Sequence, residues 1–89
     1  MGIREVFAAN LKRYRRAAGL SQEELAHRAD IDRTYISALE RGRYAASIDI
    51  VDRLAKELAI EAADLLHRSS TGPGAKAGAG TAGAVEEDN

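Results

Sequence analysis

Apolar side chains recur every three to four residues as far as residue 66 and then nearly vanish. Ile3, Phe7, Leu11 and Tyr14 fall on one stripe, the spacing of an amphipathic helix that buries a single face. The stripe stops at Gly19, which terminates the helix. Ser21-Gln22-Glu23-Glu24 follows. Here the Ser21 hydroxyl can accept from the backbone N–H of Glu24 while the Glu24 carboxylate reaches back, so this capping box predicts a second helix with Leu25, Ala26 and Ala29 turned inward. Asp32 is the expected cap of a third helix that ends before Gly42, a residue suited to left-handed backbone. A fourth helix starts near Ser47 and buries Val51, Leu54, Ala55 and Leu58, and a brief fifth runs from Glu61 to about His67 with Leu65 and Leu66 as its apolar part. No segment alternates with the period of a strand, so the expected class is all-α.

From Ser69 the chain reads SSTGPGAKAGAGTAGAVEEDN, with Val85 its one large aliphatic residue. Such a segment cannot bury a core and reads as a disordered Gly/Ala-rich tail with an acidic end. The expected organisation is therefore one helical domain over residues 1–68 and a tail over 69–89. Eighty-nine residues suffice for one small core and leave little room for a catalytic cleft.

The net charge of -1 averages two unlike regions. Residues 1–68 hold twelve of the thirteen basic and eleven of the fourteen acidic side chains, while the tail sets Lys76 against Glu86, Glu87 and Asp88. Placement carries more than the total: Lys12, Arg13, Arg15 and Arg16 cluster late in the first helical pattern, and Arg33, Arg41 and Arg43 around the third. Cysteine is absent, and His27 and His67 are too few and too far apart for a metal cluster, so no metal or other cofactor is expected. No apolar run approaches the roughly 20 residues of a membrane span, and the start lacks the apolar stretch of a secretory signal; a soluble, cytoplasmic protein with no membrane partner is expected.

The third helix has two unlike faces. At about 100° per residue, Arg33, Thr34, Ser37, Ala38 and Arg41 fall within roughly 140° of one another, and Tyr35, Ile36 and Leu39 point the other way. A merely solvated face more often carries Glu and Lys. The chemistry of this strip suits a DNA major groove, where Arg bonds a guanine edge bidentately, Thr and Ser serve donor or acceptor edges, and Ala meets a thymine methyl.

The run from Gly19 to Gly42, GLSQEELAHRADIDRTYISALERG, followed by SIDIVDRLAKEL, resembles the Cro and phage-repressor class of helix-turn-helix proteins, also called the xenobiotic-response-element family. The resemblance covers roughly Phe7 to Leu66 and rests on Gly19, Ser21-Gln22, Leu25-Ala26, Ile36-Ser37 and Glu40-Arg41-Gly42 at family spacing. It departs in two places: Ala46 stands where many members have Pro, and Glu61 where a Ser or Thr caps the fifth helix. The likeness implies a compact five-helix, lambda-repressor-like DNA-binding domain. It also implies roles: Gln22, Arg41 and Arg43 toward phosphates, Arg33, Thr34, Ser37 and Ala38 toward bases, and Arg15 with Glu40 as a partly buried ion pair between the first and third helices.

The leading expectation is a sequence-specific transcriptional regulator that binds double-stranded DNA as a homodimer, with Leu65 and Leu66 as candidates for the dimer face. The competing reading is an antitoxin or protein-interaction adaptor on the same fold. An enzyme is disfavoured, since no catalytic residues are evident: there is no nucleophile–base pair or phosphate loop, and no small-molecule pocket is expected.

Overall fold

In the computed structural model, which describes residues 2–68, five helices follow one another: α1 (Ile3–Ala17), α2 (Gln22–Ala29), α3 (Arg33–Glu40), α4 (Ile48–Leu58) and α5 (Ala62–Leu66). The expected tail, residues 69–89, lies outside the described residues. Local chemistry sets most of the helix starts. The Ser21 hydroxyl accepts from the Glu24 N–H at 2.9 Å and the Glu24 carboxylate from the Ser21 N–H at 2.8 Å, completing the capping box. The Ser47 hydroxyl accepts from the Ile50 N–H at 3.1 Å. At α5 the Asp64 carboxylate accepts from the Glu61 N–H at 3.0 Å, so the first turn has an acceptor without Ser or Thr at position 61.

The helices close a ring: α1 packs on α3, α3 on α2, α2 on α4, α4 on α5, and α5 back on α1. Inside it lie Leu11, Leu25, Ile36, Leu39, Leu54 and Leu65, at least one from every helix and each fully buried. Burying side chains of this size contributes about 1.5–3 kcal/mol apiece, so the ring depends on all five elements. Two expectations about this core need amendment. Ile3 is 49% exposed, because it opens α1 beyond the ring, where it lines a shallow apolar groove with Tyr44 and Leu66. Leu65 closes the core while Leu66 is exposed, so the two leucines of α5 serve different surfaces.

One polar residue is built into the packing. Asn10 is buried, and its amide donates to the Leu65 carbonyl at 2.9 Å and the His67 carbonyl at 2.8 Å. These carbonyls, near and past the end of α5, have no helical partners among the described residues, so Asn10 ties the end of α5 to α1. No helix among the described residues is long and apolar enough to cross a membrane.

Helix α4 ends on an uncomfortable residue. Ala59 has φ +59°, and around it the Ala59 N–H bonds the Lys56 carbonyl at 3.2 Å and the Ile60 N–H the Ala55 carbonyl at 3.0 Å, a Schellman closure. A β-carbon in left-handed backbone costs about 1 kcal/mol that glycine avoids. Ala59→Gly is therefore expected to raise stability by about 1 kcal/mol in urea unfolding; a destabilised variant would show that the closure is not strained.

Candidate nucleic-acid interface

Helices α2 and α3 are joined by Asp30, Ile31 and Asp32. Asp30 adopts left-handed backbone (φ +58°), a conformation that Asp tolerates better than most residues, and the Ile31 N–H then bonds the Ala26 carbonyl at 2.9 Å. Asp32 is extended and caps α3. Leu25 and Ala29 of α2 join Ile36 and Leu39 of α3 in the core. This fixes which face of α3 remains outside.

That outer face carries Arg33 and Thr34, both exposed, and Ser37, half-buried. Arg41, Arg43 and Tyr44 continue it as exposed residues, and the Tyr44 ring leans against Tyr35 with centroids 6.4 Å apart. Its hydroxyls are already oriented. Thr34 donates both its backbone N–H and its hydroxyl to the Asp32 carboxylate, and the Ser37 hydroxyl accepts from the Arg41 guanidinium. The Thr34 hydroxyl, followed by the Thr34 N–H, holds the Asp32 carboxyl below its ordinary value, so the cap stays ionised at neutral pH. Glu24 is lowered likewise by its bonds to Ser21, the backbone N–H first.

Ala38 departs from the expected strip. It is 5% exposed, although a helical wheel places it beside Ser37 and Arg41. Beyond α3 the chain reverses: Gly42 takes φ +72°, and the Arg43 N–H bonds the Ala38 carbonyl at 3.0 Å. With 5% of its surface exposed, Ala38 presents less of its methyl than the wheel indicates.

Behind this face lies the pair of Arg15 and Glu40. The Glu40 carboxylate accepts from Arg15 Nε at 2.6 Å and Nη2 at 3.0 Å, a bidentate contact with side chains only 9% and 3% exposed. The third nitrogen, Nη1, donates to the Leu20 carbonyl at 2.8 Å. The hydrogen bonds to Glu40 hold the Arg15 pKa above its ordinary value. Gln22 joins the cluster, donating from Nε2 to Glu40 Oε1 at 3.1 Å. The pair was expected from family resemblance; the Gln22 contact and the buried Asn10 were not, since neither has a signal in residue spacing. Among the described residues no group of acidic, His or Cys side chains is placed to hold a metal ion.

Two short helices crossing at a tight turn, with a polar strip on the second, define a helix-turn-helix protein. A model of the helix-turn-helix family HTH_3 matches residues 11–65. The chain belongs to that family of DNA-binding transcriptional regulators, of Cro and repressor type. It is similar to a hypothetical transcription factor of Neisseria meningitidis serogroup B, 41% identical over 72% of this chain and 60% of that protein. The control protein C.BamHI of Bacillus amyloliquefaciens is 37% identical over 79% of this chain and 88% of its own length. Among solved structures, that of SinR, a master regulator for biofilm formation, in complex with DNA superposes with TM-score 0.67 at 29% identity, covering 68% of this chain and 98% of that one. The chain thus spans less than two thirds of the Neisseria relative.

Two outcomes test the interface scaffold. Glu40→Ala leaves a buried guanidinium unpaired and is expected to cost about 3–5 kcal/mol in chemical denaturation; unchanged stability would refute the buried pair. Asp32 and Glu24 both sit below their ordinary values of 3.8 and 4.5, so their contribution is present above that range and lost as pH falls through the lowered folded values. Melting temperature is expected to fall on acidification below about pH 4.5 and to fall less steeply in Asp32→Asn, which keeps an acceptor without the charge.

Proposed function

We propose that this protein is a sequence-specific regulator that binds double-stranded DNA as a homodimer on a palindromic operator, with α3 in the major groove. The observation that carries this is the outward strip of Arg33, Thr34 and Ser37, continued by Arg41 and Arg43, on the second helix of a helix-turn-helix unit. Arg33 is long and exposed and reads a guanine edge through two parallel N–H donors. Thr34 gives its proton to Asp32, so its oxygen faces the groove as an acceptor for a base amino group. Ser37 is in the reverse state: it accepts from Arg41, which frees its own proton for a base acceptor. Arg41 and Arg43 hold phosphates at the end of α3, and Gln22 does so at the start of α2, where helix N–H groups favour an anion.

One such unit reads a half-site. Two related by a two-fold axis match half-sites about one helical turn, ~34 Å, apart. Ile3, Tyr44 and Leu66, exposed around one groove, supply an apolar surface for the second copy, with Leu66 but not Leu65 available from α5. The family relatives named as a transcription factor and a control protein, and SinR in complex with DNA, support this reading. The bound dimer acts sterically, blocking or recruiting polymerase, with occupancy set by its own concentration.

A gel shift on the chain's own upstream DNA, comparing the wild type with Arg33→Ala, tests the readout. Loss of one bidentate base contact is expected to weaken specific binding by about tenfold or more while leaving non-specific binding nearly unchanged. Log affinity should also fall linearly with log salt, and Arg43→Ala should reduce that slope by about one. Full sequence preference in Arg33→Ala would sink the assignment.

A further inference from the structure

We propose that Glu40, besides pairing with Arg15, is a positioning residue that aims the Gln22 side-chain amide at a DNA phosphate; this rests on the DNA-binding reading above. Gln22 is the first residue of α2 and half-buried, and its Nε2 donates to Glu40 Oε1 at 3.1 Å. A primary amide carries two N–H groups in one plane, about 120° apart. With one of them on Glu40, the direction of the other is set. A glutamine free at the surface loses rotamer freedom when it binds, and this one has lost it beforehand.

The partner is an unusual one for the task, because a carboxylate repels phosphate. Arg15 resolves this. Its Nε and Nη2 lie 2.6 and 3.0 Å from the two Glu40 oxygens, so the buried cluster is neutral as a whole and Gln22 presents a donor backed by no net charge. Arg15 Nη1 also holds the Leu20 carbonyl at 2.8 Å, fixing the chain just before α2 begins. Ser21 is engaged elsewhere, its hydroxyl accepting from the Glu24 N–H. One ion pair at the end of α3 therefore holds both the entry to α2 and the direction of its first side chain.

The test measures binding of the full chain to a fluorescent duplex carrying the sequence the wild type prefers, at a temperature where circular dichroism shows every variant folded. Gln22→Ala is expected to weaken binding about tenfold, the usual worth of one hydrogen bond to a charged group. Glu40→Gln should weaken it at least as much. Adding Gln22→Ala to Glu40→Gln should then change affinity by less than about threefold, because the amide has already lost its orientation. Effects that multiply in the double variant overturn the proposal. If Glu40→Gln does not fold, the free wild type decides by NMR: the two Gln22 side-chain amide protons should be well separated, one of them slow to exchange. A pair like that of a solvated glutamine overturns the proposal with no DNA present. A wild type that shows no sequence preference removes the DNA-binding reading and the positioning role with it, whereas multiplied effects on intact wild-type binding remove the positioning role alone.

Discussion

Glu40 is the last residue of α3, and its side chain is 3% exposed. Taking a carboxylate out of water costs several kcal/mol unless its oxygens find partners. Here Arg15 from α1 supplies two N–H groups and Gln22 from α2 a third. Because Arg15 also bonds the Leu20 carbonyl, one ion pair joins α1, the entry to α2 and the exit of α3. Apolar packing through Leu25, Ile36 and Leu39 brings these helices together, but it tolerates small slides and rotations. A bidentate contact does not. The proposed reading of base edges through three side chains on one short helix requires that helix to be held within a fraction of an ångström, and the pair supplies such a constraint.

The polar strip on α3 follows from the same packing. Once Ile36 and Leu39 are buried, Arg33, Thr34 and Ser37 have only the outer face left. Each hydroxyl has a local partner, Asp32 for Thr34 and Arg41 for Ser37, so donor and acceptor character at the surface is decided before any ligand arrives. Gly42 limits the strip at its far end. Its left-handed turn returns the Arg43 N–H to the Ala38 carbonyl, and the exposed Arg43 and Tyr44 replace a flat helix face with a short loop rich in cations and aromatic surface.

What was legible in the residues is what is local. The Ser21 box, the Asp32 and Ser47 caps and the Gly42 reversal involve residues two to five apart, so spacing alone reveals them. Burial of Val51, Leu54, Ala55 and Leu58 follows from one helix period. The bonds that assemble the interface are not local: Arg15 and Glu40 lie 25 residues apart, Gln22 and Glu40 18, and Asn10 and Leu65 55. The first of these was read from family resemblance, and the other two had no pattern to show them. Ala38 lies deeper than a helical wheel indicates, because a wheel contains no information about what packs on the helix from elsewhere in the chain. Ile3 was misplaced because a stripe does not say where the neighbouring helices end.

The described residues thus form a five-helix ring that presents one helix with a prearranged polar face, and the chain belongs to a family of DNA-binding regulators. Selection of bound duplexes from a random DNA pool tests the proposed recognition most directly. The expected result is a two-fold symmetric consensus whose half-sites are centred about one helical turn apart, each with a guanine at the position that Arg33 reads. Recovery of no enriched sequence, or of an asymmetric one bound by a single copy of the chain, would contradict it.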